Sequence, residues 1–497
     1  MSGRRPTVLP TRSEAPLRIL ARLLLVVLSL LVSVLAYEPY SYADAAFLGL
    51  IFLFIALYRA GSPTAAALSF IYGAGLILLV QAWAVPLGVW PWIGALLTSG
   101  LLYSVFGLSA AYLTRSAMWP LTVASAFALL DSVIAITDSG LLTTARIIYT
   151  QTDTVLFFPV RLLGPSVVAF TAALIAALVA YIAIAIAQRA DNPLKIIAAG
   201  CIAALAITLM PISERWGGSG ESPDVVRVLV VQPAFENQLK MGELLTRVPD
   251  KLALSLKWVR SYASQYPLGA TEEPNLAILP NGIASLESLD NEDVSLSLTR
   301  TSQMLNAPIL FGINASETDE NETVRYVLWG PEGKIREVGL QPLPDSESPA
   351  SSGRLGLIEV AGTTYGVLEA TQSYPSPHDI AGMSEAQVLI GYRSTFPRSV
   401  DRLIGRAHLT SARLMAASID RPAVVVSEFG PSGFISEDGG LIEWADVGRA
   451  GFVYGEIAIS PAGPLPARRD TLLVLLYILI PVAGVLFSLY RHGADRH

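Results

Sequence analysis

The sequence predicts two fold classes in one chain, a polytopic α-helical membrane bundle and an α/β layered domain. Of its 497 residues, 52% are hydrophobic and only 15% are charged, whereas a soluble protein carries about 25% charged residues. These two values predict the bundle. The α/β domain is predicted because short β-type runs alternate with helical stretches between residues 212 and 469.

The membrane bundle is predicted from long apolar runs. A transmembrane helix needs about 20 mostly apolar residues, and eight runs approach that length. Asp131 interrupts the fifth run and leaves its exact span open. The runs carry few other charges, which disfavours a transporter, because transport sites usually need several buried charges. The eight runs cover residues 17–36, 43–58, 64–85, 91–113, 119–137, 166–187, 194–211 and 470–490.

The distribution of positive residues predicts the orientation. Arginine and lysine precede the first run, recur in alternate short loops and follow the last run, so both termini are predicted to be cytoplasmic and residues 212–469 extracytoplasmic. Arg146 and Arg161 are exceptions to this pattern. A cleaved signal peptide is the alternative for the first run, but its length and the spans that follow at once favour a signal anchor.

These patterns divide the chain into three parts. Residues 1–211 are predicted to form a bundle of about seven helices, residues 212–469 the soluble domain, and residues 470–497 a final transmembrane helix with a short tail. In the soluble domain, helices are predicted at 236–265 and 402–418. Strands are predicted at 226–232, 276–279, 309–313, 324–329, 355–360, 364–368, 387–390 and 423–427.

Charge and cysteine content exclude several functions. The net charge of −7 argues against nucleic acid as a partner, because phosphate binding needs a basic face. The single cysteine, Cys201, excludes an internal disulfide and a cysteine-based zinc cluster. No cofactor or metal is expected. Cys201 lies among small apolar residues in the seventh run, so we expect its side chain to be buried and to behave as a small hydrophobic residue.

Two stretches of the soluble domain carry recognisable motifs. The first is VRVLVVQP at 226–233, a strand that ends in glutamine. The second runs from Arg406 to Val426 through an Arg-Pro turn and continues to the glycines at 430, 433 and 439. Together with the order of bundle, soluble domain and final helix, they resemble the apolipoprotein N-acyltransferase family. The resemblance implies a nitrilase-like α-β-β-α sandwich of the carbon-nitrogen hydrolase fold in a bacterial inner membrane.

The resemblance also implies a Glu–Lys–Cys triad. In that family the thiolate takes an acyl chain from a phospholipid, the glutamate moves protons and the lysine stabilises the oxyanion. Carried over by the flanking motifs, the glutamate position is Asn281 after LAILP, the lysine position is Glu337, three residues before Leu340, and the cysteine position is Glu369. None of the three chemical roles survives in these residues.

Other residues near these positions offer alternatives. Lys334 lies three residues before Glu337, but it follows a Pro-Glu-Gly hairpin turn and is expected to be a solvated turn residue. Under this alignment Glu337 and Glu369 would share one cleft. There they would form an acid/base pair, hold a cation, or be solvated or paired with arginine. His408 is expected to be packed or on the surface rather than catalytic.

Hydroxyl groups are the remaining candidates for a replacement nucleophile. Thr371, Ser373 and His378 lie near the lost cysteine position, and a hydroxyl beside a histidine is a known nucleophilic arrangement. The sequence has no nucleophile-elbow motif there, and a Ser-Pro-rich loop explains these residues more simply.

The expected function is therefore that of a catalytically inactive relative of the acyltransferases, a pseudoenzyme of envelope lipoprotein or glycolipid biogenesis. The resemblance suggests an actinobacterial source. Expected partners are membrane phospholipid, lipoproteins, and polyprenol-phosphate mannose synthase or another envelope enzyme. The alternative is an active N-acyltransferase that uses Glu369, Ser373 or Thr371 in place of cysteine.

Overall fold

The computed structural model of the protein describes most of the bundle and of the α/β domain. The described residues are 16–116, 118–137, 140–188, 200–201, 204, 224–234, 248–267, 273–314, 325–339, 341–342, 354–370, 385–393, 398–461, 463 and 471–494.

The N-terminal part is helical. Among the described residues, five helices are long and apolar enough to cross a membrane. Two shorter apolar helices cover Ala43–Leu57 and, near the C-terminus, Thr471–Leu486. The helices are α1 (Pro16–Val34), α2 (Ala43–Leu57), α3 (Ser62–Val80), α4 (Val89–Leu113), α5 (Trp119–Ile136), the single turns α6 (Gly140–Thr143) and α7 (Val160–Leu163), and α8 (Ser166–Gln188).

The apolar runs predict these helices closely, with one difference in length. The third run was expected to reach residue 85, but α3 ends at Val80 and a 3₁₀ helix follows at Ala82–Leu87. Pro86 lies in that 3₁₀ segment, where the missing N–H of proline prevents a regular α-helix. Most of the seventh predicted run, 194–211, lies outside the described residues.

Small residues let the bundle helices approach closely. A Cβ at Gly107 would lie 2.5 Å from the Ser69 hydroxyl, and a Cβ at Gly484 would lie 2.8 Å from a Thr122 methyl group. Gly484 belongs to the final helix, α13 (Thr471–Ala494), which therefore packs against α5. Such small-residue contacts are the usual means of helix packing in membranes.

The α/β domain contains two mixed seven-stranded sheets. The first has the order β14-β1-β2-β4-β5-β6 with β3 beside β4, and the second has the order β13-β12-β11-β10-β9-β8-β7. The strands are β1 (Val225–Gln232), β2 (Leu276–Ile278), β3 (Ala284–Ser285), β4 (Ile309–Asn314), β5 (Arg325–Gly330), β6 (Gly333–Gly339), β7 (Gln341–Pro342), β8 (Arg354–Val360), β9 (Thr363–Ala370), β10 (Val388–Arg393), β11 (Ala423–Val426), β12 (Ser432–Ile435), β13 (Leu441–Ala445) and β14 (Gly451–Ala458).

Three hydrophobic cores stack these elements into layers. One core joins the two sheets, for example Ile278 of β2 with Val367 of β9. A second core covers the first sheet with the helices that precede and follow β2, and a third covers the second sheet with one long helix. The covering helices are α9 (Val248–Gln265), α10 (Leu286–Leu289), α11 (Glu292–Leu305) and α12 (Arg398–Ile419). The expected α-β-β-α sandwich is confirmed.

Several elements of the sandwich were not predicted. All eight predicted strands are present, but the short strands β3 and β7, the edge strand β6 and the C-terminal strands β12 to β14 were missed. Exposed charged residues interrupt the apolar pattern of β6 and β13, because these strands lie at the edges of their sheets. Helix α11 was also missed, since its mostly polar sequence has apolar residues on only one narrow face.

Helix α12 connects the sandwich to the bundle. On one side Leu409, Met415 and other apolar residues pack on the second sheet. On the other side Arg413 donates hydrogen bonds to the Asp153 carboxylate at 2.6 Å and to the Thr152 carbonyl at 2.8 Å, both in the segment between α6 and α7. The helix therefore has a partner on two opposite faces.

The two arginines that broke the orientation pattern both have specific partners. Arg146 pairs with Asp131 of α5 at 2.7 Å, and both side chains are buried. Arg161 of α7 pairs with Asp420 at 2.5 Å, just beyond α12, and lies 3.8 Å from Glu437. Their positions are explained by these ion pairs.

Candidate functional site

Two of the three positions taken from the family triad meet in the structure. Asn281 follows β2 in the first sheet, and Glu369 lies near the end of β9 in the second sheet. The Asn281 Nδ2 donates a hydrogen bond of 2.7 Å to the Glu369 Oε1. Glu369 is only 9% exposed. The site therefore joins the two sheets at the edge where β2 and β9 end.

Gly312 of β4 makes room for this contact. A Cβ at Gly312 would lie 2.1 Å from the Asn281 Oδ1 and 2.9 Å from the Asn281 Cα. Those distances are far below van der Waals contact, so any larger residue would displace Asn281. Because Gly312 has no side chain, Asn281 can lie close to β4 with its amide directed toward Glu369.

The strands around Glu369 determine its surroundings. Glu369 is on the same face of β9 as Val367, which packs in the core between the sheets. In the strand register Arg354 of β8 lies opposite Glu369 on one side, and Tyr392 of β10 on the other. Burial raises the pKa of Tyr392, so its phenol stays protonated and neutral beside the carboxylate.

Sequence reasoning missed an ion pair at the corresponding end of β11. The Lys251 Nζ of α9 lies 3.0 Å from the Glu428 Oε2, and both side chains are largely buried. Glu428 comes two residues after β11, and in open α/β sheets functional groups gather at the carboxyl ends of the strands. The scarcity of lysine in the soluble domain was the available signal, since only Lys240, Lys251, Lys257 and Lys334 occur there.

Gln232, the glutamine that ends the first motif, has a structural role. It is fully buried, and its Nε2 donates hydrogen bonds to the carbonyls of Asp446 at 2.8 Å and Arg449 at 2.7 Å. These bonds hold β1 to the turn between β13 and β14. Gln232 thus links β1 of the first sheet to the turn that leads from the second sheet back to the first.

Glu337 does not join the Asn281–Glu369 pair, so the shared cleft expected for Glu337 and Glu369 was wrong. Glu337 lies opposite Val327, which packs against the helices, while the next residue, Val338, faces the core between the sheets. Side chains alternate along a strand, so Glu337 points away from that core. It instead forms an exposed ion pair with Lys334, and Lys334 follows the β5–β6 turn as expected.

The remaining candidates lie elsewhere or outside the described residues. Thr371, Ser373 and His378 fall in the segment that the structure does not describe. His408 is 1% exposed within α12, which confirms that it is packed. Cys201 was expected to be buried, but it is exposed. Its neighbour Gly200 contacts Leu178 of α8, which places this cysteine at the bundle.

The Asn281–Glu369 pair lacks the acid–base and nucleophilic groups of a Glu–Lys–Cys triad. The asparagine amide does not act as a proton acceptor at neutral pH, and it occupies one oxygen of the carboxylate. Attack of a carboxylate on an ester would form a mixed anhydride, which is higher in energy than the ester it replaces. A thiolate avoids this problem because the resulting thioester forms and breaks readily.

Comparisons with known proteins give the family context. Residues 29–178 match the apolipoprotein N-acyltransferase N-terminal domain. The chain is 24% identical to an apolipoprotein N-acyltransferase of Mycolicibacterium smegmatis, over 92% of this chain and 84% of that protein. The resemblance stated from the sequence motifs is thus found independently in the bundle and along nearly the whole chain.

Three solved structures show a weak similarity to this chain. One from Helicobacter pylori is 14% identical, covers 47% of this chain and 89% of its own, and gives a TM-score of 0.35. A Nesterenkonia amidase of the nitrilase superfamily is 12% identical, with 48% and 94% coverage and a TM-score of 0.33. A glutamine-dependent NAD+ synthetase from Acinetobacter baumannii is 11% identical, with a TM-score of 0.32, and this chain covers 48% of it. The chain is a membrane protein similar to apolipoprotein N-acyltransferases.

Proposed function

We propose that this protein is a catalytically inactive member of the acyltransferase lineage that works by binding. The observation that carries the proposal is the Asn281–Glu369 hydrogen bond, which stands where the resemblance places the general base and the nucleophile. The only thiol of the chain, Cys201, belongs to the membrane bundle. The remaining function of the scaffold is then to hold lipid, lipoprotein or an active partner enzyme.

The proposed setting is the cytoplasmic membrane of an actinobacterium, with both termini inside and the sandwich outside. The polar attachment of α12 to the bundle supports a scaffold role, because it holds a large soluble surface beside the membrane. The proposed partners are membrane phospholipid, lipoproteins, and polyprenol-phosphate mannose synthase or another enzyme of envelope glycolipid synthesis.

Catalytic inactivity is tested by an acyl-transfer assay. The purified full chain is incubated with labelled phospholipid and a diacylated lipopeptide, with the Mycolicibacterium smegmatis relative as the positive control. We expect neither N-acylation of the lipopeptide nor a covalent acyl-protein. Transfer that disappears in Glu369→Gln, Ser373→Ala or Thr371→Ala would overturn the proposal and establish the alternative, an active acyltransferase without a cysteine.

The scaffold role needs a separate test. Polyprenol-phosphate mannose formation is measured in membranes that contain the synthase, with and without this chain. We expect the chain to raise the rate, and Glu369→Gln to raise it equally, because a scaffold does not need that carboxylate. An unchanged rate would exclude this partner.

A further inference from the structure

A small cavity lies where α12 covers the bundle. It has a volume of about 30 Å³, and its walls include Glu38 from the α1–α2 loop, Gln81 and Trp83 after α3, Tyr149, and Thr410 of α12. A single water needs about 10–15 Å³, so the cavity has room for one or two heavy atoms. Glu38 is 23% exposed, which leaves this side of the cavity open to the outside.

The cavity presents hydrogen-bond acceptors that lack donors. Gln81 is only 2% exposed, and its Nε2 donates to the Thr144 Oγ1 at 2.8 Å. That bond leaves the Gln81 Oε1 buried and without a hydrogen-bond partner among the described residues, and the same holds for the Glu38 Oε2. A buried acceptor without a donor destabilises the folded state, so a bound donor would be favoured.

Among the described residues, no arginine donates a hydrogen bond to the Glu38 Oε2. The nearest cation, Arg406, is 3.8 Å from the Glu38 Oε2 and bonds instead to Asp446 at 3.1 Å. Arg413 is taken by Asp153. Burial raises the pKa of Glu38, with Asp153 and Asp446 adding to the effect, while a hydrogen bond from Ser41 and the charge of Arg406 oppose it. The Glu38 Oε2 therefore still lacks a hydrogen-bond donor among the described residues.

We propose that this cavity binds a primary ammonium group, –NH3+, with the Glu38 carboxylate and the Gln81 carbonyl oxygen as its acceptors. The rings of Trp83 and Tyr149 line the same space, and aromatic faces attract cations. The size of the cavity admits –CH2–NH3+ but excludes a trimethylammonium group. A divalent metal is a poorer fit, because the described residues contain no cluster of three potential metal ligands and divalent ions need several.

The ammonium group has two sources, a soluble amine or a lipid headgroup. The test uses the full chain in nanodiscs and follows its thermal unfolding, since a ligand of the folded state raises the Tm. One arm adds ethanolamine or choline to phosphatidylglycerol discs at equal ionic strength. The other compares discs of phosphatidylethanolamine with discs of phosphatidylcholine. We expect a higher Tm with the ethanolamine compound in at least one arm, and no rise with choline.

Three variants decide whether the cavity is responsible. Glu38→Gln should lose the stabilisation, and Gln81→Glu, which adds a second carboxylate, should lower the ethanolamine concentration needed by about tenfold. Glu332→Gln, at the exposed β5–β6 turn, should behave like the unaltered protein. Equal effects of ethanolamine and choline, or no effect from either source, would overturn the proposal. If Glu38→Gln does not fold, an unchanged response of Gln81→Glu would overturn it alone.

Discussion

At the scale of single residues, the candidate site depends on three side chains and one missing side chain. Asn281, Glu369 and the neighbouring Tyr392 occupy the region between the two sheets, and Gly312 leaves the space that Asn281 fills. The flanking motifs assigned Asn281 and Glu369 to triad positions because each comes at or just after the end of a predicted strand. The contact between them could not be predicted, since it joins residues 88 apart in the chain.

The role of Gly312 can be tested by Gly312→Ala. The added methyl group would overlap Asn281, so we expect a loss of about 1–3 kcal/mol in the free energy of unfolding and a lower Tm. Gly339→Ala is the matched control, because a Cβ at Gly339 meets nothing within 4 Å. Equal Tm values for the two variants would contradict this account of Gly312.

The error at Glu337 also belongs to the residue scale. The motif spacing placed Glu337 where a catalytic lysine would be, but the strand directs Val338 rather than Glu337 to the core between the sheets. A difference of one residue reverses the face on which a side chain lies. The spacing of the motifs does not show which face of a strand a side chain occupies, so the sequence alone could not place the Glu337 side chain.

At the scale of elements, apolar length predicted the helices and apolar runs predicted the buried strands. The edge strands β6 and β13 were missed because most of their residues face solvent. Strand β12 is an exception, since it was missed although all four of its residues are buried. Helix α5 shows a further difference between pattern and structure. Its Asp131 was read as an interruption, yet α5 continues through it, because Arg146 neutralises the carboxylate with two hydrogen bonds of 2.7 and 3.0 Å.

Removal of one partner should leave the other charge buried and unpaired. Asp131→Asn or Arg146→Gln alone is therefore expected to cost about 3–5 kcal/mol. The double variant should cost less than either single change, since its two amides are neutral and can bond to each other. Unfolding of the three variants in detergent measures this coupling, and additive losses would show that the pair has no mutual role.

At the scale of the whole molecule, polar contacts hold the sandwich on the bundle. Arg413 is the most connected of these residues, with the Gly439 carbonyl as a third acceptor at 2.8 Å. The sequence predicted a helix at 402–418 but not the partners of its faces. The face of α12 that contacts the bundle was not predicted. Polar and small residues form that contact, and composition does not distinguish such a surface from one that faces water.

Arg413→Lys should loosen the attachment without removing the charge, because lysine cannot reproduce the forked geometry of a guanidinium. We expect faster hydrogen–deuterium exchange in residues 398–419 and 140–163. Arg300→Lys, on the exposed side of α11, should leave both segments unchanged. Identical exchange in the Arg413 variant and the unaltered protein would show that apolar contacts alone hold the two parts together.

The two covered faces of α12 limit how this protein can be divided. Leu414 and Ala417 pack into the core of the bundle, although they belong to a helix of the sandwich. Excising the sandwich as a separate fragment would expose these residues to water together with Arg413, whose partners would be left behind. Such a fragment would need solubilising substitutions on that side of α12.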